Sequence, residues 1–153
     1  QPTPPPRQAE RKPNSRMDEA AKAGTELQDG AVVALAGGVG AARFLEGLAS
    51  LVPPERLIII GNTGDDLELY GLHISPDLDT VAYTLAGVAH PEQGWGMAGD
   101  TFECLFALGR YTNETWFRLG DRDLATHLYR TELLRRGATL SEATSRIALR
   151  GAA

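Results

Sequence analysis

The chain has 153 residues, a formal charge of −5, 42% apolar and 23% charged residues, and a single cysteine, Cys104. That composition belongs to a globular chain with one ordinary core. It lacks the ~20 uninterrupted apolar residues of a helical membrane span, cannot close an internal disulfide, and is too acidic for broad nucleic-acid binding.

Residues 1–30 stand apart. They hold five of the nine prolines (Pro2, Pro4, Pro5, Pro6 and Pro13), and no Val, Ile, Phe, Trp or Tyr. Such a segment buries too little apolar surface to offset its ordering entropy. It reads as a disordered tail, with a helical tendency around Asp18–Leu27. It also lacks the apolar run of a secretory signal, so a cytoplasmic location is expected.

The foldable part, residues 31–153, opens on the apolar run Ala31–Ala36, broken by Gly37-Gly38-Val39-Gly40. Phe44, Leu45, Leu48 and Leu51 follow at the spacing of one helical face, and Pro53-Pro54 ends that helix. Leu57-Ile58-Ile59-Ile60 is a second strand, expected to be buried. Strand, glycine turn, helix, strand is a βαβ unit, and so implies a parallel sheet and an α/β fold.

Helices are predicted for most of the remainder. Ser75-Pro76 reads as an N-cap with proline at the first helical position, with Leu78, Val81, Ala82 and Leu85 as the stripe. Asp100-Thr-Phe-Glu103 resembles a capping box before Leu105, Phe106 and Leu108. Asp123 to Arg136 is a further helix, with Leu124, Leu128 and Leu134 inward and Gly137 as its stop. Ser141 is read as the cap of a last helix. A βαβ start followed by several helices usually needs more strands, so an incomplete domain is expected.

Several groups could carry chemistry. The glycine turn lies where a strand meets a helix, so its free N–H groups and the helix dipole favour an anion; a tight turn needs glycine anyway. It is a poor dinucleotide fingerprint, because Arg43 stands in place of a third glycine and Gly61-Asn62 in place of a ribose-binding acid. The Lys-Ser/Thr of a P-loop is also missing, and a hydride-transfer enzyme is disfavoured. At the end of the second strand, Asn62-Thr63-Gly64-Asp65-Asp66 sets two carboxylates together. They suit a cation shared with phosphate oxygens, or a solvated turn. Asp77 and Asp79 lie in a first helical turn, where acids are favoured without any ligand; Asp79 sits beside the apolar stripe.

Trp116 to His127 is the densest polar cluster. Arg118 and Arg122 flank Gly120, Asp121 and Asp123 could cap the next helix, and Asp123 and His127 are four apart. Arg130 follows one turn on. A surface salt-bridge face and a planar, phosphorylated ligand site both explain it. Cys104 reads as a core thiol, His73 and His90 have no evident partner, and Gly94-Trp95-Gly96 as a rigid turn.

The order of these blocks is more specific than any one of them. Gly37-Gly-Val-Gly-Ala-Ala-Arg-Phe-Leu45, Asn62-Thr-Gly-Asp-Asp66, Ile74-Ser-Pro-Asp-Leu-Asp-Thr80, Gly94-Trp-Gly96, Asp100-Thr-Phe102 and Leu119-Gly-Asp-Arg-Asp-Leu-Ala-Thr-His127 closely resemble the 2-phospho-L-lactate transferase (CofD) family of deazaflavin coenzyme biosynthesis. The resemblance covers about residues 31–150 and implies a Rossmann-like α/β core with added helices, of which this chain is the N-terminal part. It also implies transfer of a phospholactate or phosphoenolpyruvate unit from a guanosine diphosphate adduct to a deazaflavin alcohol, with Mg²⁺ and release of GMP, in a family whose bacterial members often form homodimers.

By motif, Asp79 and Arg118 match the deazaflavin-binding positions. Gly37, Gly38, Gly40, Asn62, Thr63 and Asp65 match the crevice for metal and phosphates, and Arg122 and His127 belong to the substrate cluster. The roles expected are Asp65 holding Mg²⁺, Asp79 positioning or deprotonating the hydroxyl, and Arg118 on the deazaflavin. Asp79→Asn is then expected to cut turnover by orders of magnitude with an almost unchanged melting temperature. Two rivals are a non-catalytic sugar-nucleotide-binding regulator on the same scaffold, resembling the gluconeogenesis-factor proteins, and an inactive fragment. The regulators carry a Val-Ala-Asp-Asp-Gly-Gly type run where Asn62-Thr63-Gly64 stands, and lack the Pro-Asp-Leu-Asp-Thr block.

Overall fold

The computed structural model describes residues 30–151. The tail expected over residues 1–30, with its helical tendency around Asp18–Leu27, lies outside the described residues except for Gly30.

Strand β1 (Val32–Ala36), helix α1 (Gly38–Ala49) and strand β2 (Leu57–Gly61) form the βαβ unit, with a single 3₁₀ turn at Pro54–Arg56 before β2. The strands are parallel, Val32 opposite Leu57 and Ala36 opposite Gly61. Their register brings the glycine turn and Asn62 to the same, carboxyl end of the sheet, where Asn62 N–H donates to Ala36 C=O at 2.7 Å. Strands β3 (Leu67–Leu69) and β4 (Leu72–Ile74) make an antiparallel hairpin. Its two-residue turn, Tyr70-Gly71, has φ of 55° and 73°, the twin left-handed geometry that matches strand twist. The sequence predicts a mainly helical remainder here; Leu67-x-Leu69 and Leu72-x-Ile74 alternate at the strand period, too briefly to stand out.

Helices α2 (Pro76–Leu85), α3 (Glu103–Leu108), α4 (Asp121–Arg135) and α5 (Leu140–Gly151) complete the order, and none of the described helices is long and apolar enough to cross a membrane. The core joins Ala36, Ala42, Leu45 and Val81, with Ala34, Leu48 and Ile59 packed against it. Helices α1 and α2 thus cover one face of the β1–β2 pair. The opposite face, Val33, Leu35, Ile58 and Ile60, stays exposed, Leu35 at 81%, so the strands are half-buried rather than buried as expected. Phe44, Leu51 and Leu85 also face outward, which narrows the predicted stripes to Leu45 and Leu48 on α1 and Val81 with its partly buried neighbours on α2.

The helix ends differ from expectation in an instructive way. Asp100 does not cap α3. Its carboxylate accepts from the backbone N–H groups of Arg122 (2.8 Å) and Asp123 (3.1 Å), at the start of α4. Asp121 in turn accepts from the N–H groups of Glu103 and Cys104, both at 3.0 Å, at the start of α3. The two acids exchange helices, each supplying the other's orphan donors. Gly120 makes the approach possible, since a Cβ there would come within 2.2 Å of Asp100 Oδ2. For α5 the cap is Thr139, not Ser141: Glu142 N–H donates to Thr139 Oγ1 at 3.2 Å and Thr139 N–H to Glu142 Oε2 at 2.8 Å, a capping box. Gly137, at φ 89°, ends α4 as predicted; its N–H reaches Leu134 C=O and that of Ala138 reaches Leu133 C=O, the paired bonds of a Schellman motif.

On α4 the buried residues are His127, Arg130, Thr131 and Leu133, while Leu128 is exposed. The predicted apolar stripe gives way to a polar one because this face lines a cavity and meets buried acids. Cys104 is exposed, not a core thiol.

Candidate active site

Helix α2 divides the site. Residues two apart on a helix point to opposite sides, so Asp77 and Asp79, both in the first turn, face different neighbourhoods. Asp66 fixes that turn from below. Its Oδ2 accepts from Ser75 Oγ at 2.9 Å and lies 3.2 Å from His73 Nε2, while His73 N–H donates to Thr131 Oγ1 of α4 at 2.8 Å. Ser75 holds the N-cap position but gives its hydroxyl to Asp66 rather than to the helix. Asp66 and His73, one read as a metal candidate's neighbour and the other as partnerless, are a structural tie between hairpin and helices.

Asp77 faces the glycine turn. A Cβ on Gly37 would stand 3.0 Å from Asp77 Oδ2 and 3.2 Å from Asn62 Cβ. Gly38, at φ 64°, needs glycine for its left-handed backbone; Gly40 has open space around it. Asn62 Nδ2 donates to Asp77 Oδ2 at 2.7 Å and to Asp65 Oδ2 at 3.0 Å, and its Oδ1 accepts from Gly64 N–H at 3.0 Å. Thr63 is exposed in the same turn. The structure therefore brings Gly37, Gly38, Asn62 and Asp65 together, with Asp77 as a member whose place in a first helical turn suggests capping alone.

Asp79 faces the other way, into the wall of a cavity of about 350 Å³. The cavity is lined by Tyr83, Trp95, Trp116, Phe117, Arg118 and His127, among others. Arg118 is exposed at this cavity, with its guanidinium 4.8 Å over the Phe102 ring, a cation–π contact, and it also borders a smaller neighbouring cavity of about 110 Å³. Trp116 and Phe117 meet edge to face with centroids 5.6 Å apart. Arg122 lies outside both cavities, its Nη1 donating to Ala98 C=O at 3.1 Å; it braces the loop before α3.

Beneath the cavity, α4 supplies a buried charge cluster. Arg130, fully buried, pairs with Asp79 through both guanidinium nitrogens: Nη1 donates to Oδ2 at 2.9 Å and Nη2 to Oδ1. Arg130 Nη1 is also 3.2 Å from His127 Nδ1. A guanidinium only donates, so Nδ1 accepts and the ring proton belongs on Nε2. That nitrogen is 3.3 Å from Asp123 Oδ1, to which Tyr83 Oη donates at 2.7 Å. Of the two readings of this cluster, a surface salt-bridge face does not describe His127 and Arg130, which are buried. Burial pushes the Asp79 carboxyl up, against the pull of Arg130. Burial acts the same way on Asp123, but the Nε2–H of His127 beside it, the Tyr83 hydroxyl and the Arg130 charge outweigh it and hold that carboxyl below its ordinary value. Burial, reinforced by both acids, keeps Tyr83 a neutral phenol by raising its pKa.

Two groups could be asked to take a cation. Asp79, Asp123 and His127 offer ligand atoms within 4.8 Å of one another. Arg130 already occupies both Asp79 oxygens, and a hard ion would sit against a guanidinium, so this set does not fit Mg²⁺. Asp65 fits it better. It is exposed, offers hard oxygen, and lies beside Asn62, Asp77 and the glycine turn, leaving room for the waters and phosphate oxygens that Mg²⁺ keeps.

A family model described as 2-phospho-L-lactate transferase CofD matches residues 32–152. Among curated relatives, the chain is 52% identical over 121 residues to a phosphoenolpyruvate transferase of Kitasatospora aureofaciens, covering 78% of this chain and 38% of that protein. It is 50% identical over 120 residues to one of Streptomyces griseus, with the same coverage. It is 44% identical over 127 residues to one of Mycobacterium tuberculosis, covering 74% of this chain and 38% of the relative. The chain thus spans little more than a third of the length of these relatives.

Proposed function

The chain belongs to the CofD family, and from that premise we propose that it is part of a cytoplasmic transferase of deazaflavin coenzyme biosynthesis. The enzyme moves a phosphoenolpyruvate unit from its guanosine diphosphate adduct to the deazaflavin alcohol 7,8-didemethyl-8-hydroxy-5-deazariboflavin and releases GMP. The relatives' shared description as phosphoenolpyruvate transferases favours enolpyruvate over lactate as the carried group. One observation carries the reading: Asp79 and Arg118, 39 positions apart in sequence, line one aromatic-walled cavity. Such a cavity suits a planar, polar-edged ring system.

In this reading Trp95, Trp116 and Arg118 hold the deazaflavin ring, and Asp79 accepts a hydrogen bond from its side-chain hydroxyl. That hydroxyl oxygen forms a bond to the phosphorus bearing the enolpyruvyl group. The bridging P–O bond breaks, GMP departs with the bridging oxygen, and the hydroxyl proton passes to the phosphate of the departing GMP. Charge on the phosphate oxygens meets the N–H groups of the glycine turn. Asp65 would hold Mg²⁺ there, which when bound supplies neutralisation of the diphosphate. The division of α2, with Asp77 toward the phosphate side and Asp79 toward the alcohol side, supports an arrangement in which the two substrates meet across one helix terminus.

The test is incubation of the full-length polypeptide with the deazaflavin alcohol, Mg²⁺ and each guanosine adduct in turn, with products read by mass. The expected result is GMP and the enolpyruvyl-phosphorylated deazaflavin. GMP-independent binding with no product from either adduct would instead favour a regulator.

A further inference from the structure

Arg130 is the largest fully buried side chain in the described structure, and the proposed chemistry gives it no contact with either substrate. Burying a guanidinium is costly unless it is paired and hydrogen-bonded. Here its two terminal nitrogens engage both oxygens of Asp79, and one of them also reaches His127 Nδ1. His127 is in turn flanked by Asp123, which Tyr83 holds from α2. The wall of the cavity is therefore a chain of fixed partners running from α4 to α2 and ending on the carboxylate that faces the ligand space.

We infer that Arg130 is a positioning residue for acceptor binding. Its forked guanidinium locks the Asp79 carboxylate in one orientation, so that Asp79 receives the hydroxyl as a fixed hydrogen-bond acceptor rather than removing its proton as a general base. The inference rests on the reading of this cavity as the alcohol site. Its chemical basis is that a bidentate pair fixes a carboxylate plane and engages both oxygens, leaving only their remaining lone pairs for a ligand. Lysine at the same place would keep the charge and lose the fork, since its ammonium is a point charge. The Nη1 contact to His127 adds a second constraint that lysine could not meet together with both Asp79 oxygens.

The test compares wild type, Asp79→Asn, Arg130→Lys and the double variant in the full-length polypeptide. Binding of 7,8-didemethyl-8-hydroxy-5-deazariboflavin is followed by its fluorescence, and steady-state kinetics by GMP release. Arg130→Lys is expected to weaken acceptor binding about tenfold, a mid-range effect for side chains in direct contact. The acceptor KM should rise with the donor KM unchanged. The double variant should bind no worse than Asp79→Asn, because Arg130 acts through Asp79. Should Arg130→Lys fail to fold, Asp79→Asn with Arg130→Gln removes both charges together and should bind the alcohol as Asp79→Asn does. Additive losses, or wild-type affinity in folded Arg130→Lys beside a weakened Asp79→Asn, would overturn the role of Arg130 alone. A wild-type protein that does not bind the alcohol would overturn the cavity reading, and this inference with it.

Discussion

The two sides of helix α2 use the same residue type in opposite ways. Asp79 is buried, gripped by Arg130 and surrounded by His127, Asp123 and Tyr83. Asp65 and Asp77 share a single amide, that of Asn62, beside an open glycine turn. A buried, paired carboxylate is held in place and presents direction; an exposed one keeps its hydration and its capacity for a cation. The difference shows how one helical turn can present a buried, preorganised carboxylate to a cavity and a more hydrated one to the glycine turn at once.

The sharpest way to break the contrast is to remove the buried partner. Arg130→Ala leaves Asp79 uncompensated and should cost about 3–5 kcal/mol in urea unfolding. A loss under 1 kcal/mol would mean that the pair is solvated and the two sides are alike. Asp79→Asn comes next. The structure revises the expectation of an unchanged melting temperature, since the substitution leaves Arg130 buried and charged; turnover and thermal stability should fall together. By contrast, Asp65→Asn should leave the melting temperature within a degree or so, as exposed surface changes do, while raising the Mg²⁺ needed for half-maximal rate about tenfold.

How much of this was legible in the sequence depended on the physics involved. The βαβ start followed from apolar runs and glycine punctuation, which are local signals. The meeting of Asn62 and Asp65 with Gly37 and Gly38 followed from strand ends sharing one edge of a parallel sheet. The burial of Arg130 and His127 did not, because a charged helical stripe looks the same whether solvent or another helix faces it. Nor did the exchange of caps between Asp100 and Asp121, which are 21 positions apart and cap each other's helices only through tertiary approach. Leu128 and Cys104 were misplaced for the same reason: periodicity sets a face, and the neighbours decide which face is inside.

Smaller effects sharpen the picture of the frame that holds both sites. Asp100→Ala should cost about 1 kcal/mol, the usual loss of a helix N-cap, with the greatest gain in amide exchange at the start of α4. The Asp121 carboxyl is held below its ordinary 3.8 by the Thr101 hydroxyl and then the Cys104 amide. The unfolded chain therefore takes up that proton first as pH falls, and the contribution of Asp121 is present above 3.8 and lost below it. In acid titration of unfolding, Asp121→Asn should flatten the decline in that window, and a parallel curve would show that the cap contributes nothing to it.

The most direct measurement is a crystal structure of the full-length polypeptide with 7,8-didemethyl-8-hydroxy-5-deazariboflavin bound. The ring should lie in the cavity between Trp95, Trp116 and Arg118, with its side-chain hydroxyl on Asp79 and the Arg130 pair intact. A ring bound elsewhere, with Asp79 still sealed behind an empty cavity, would contradict the account.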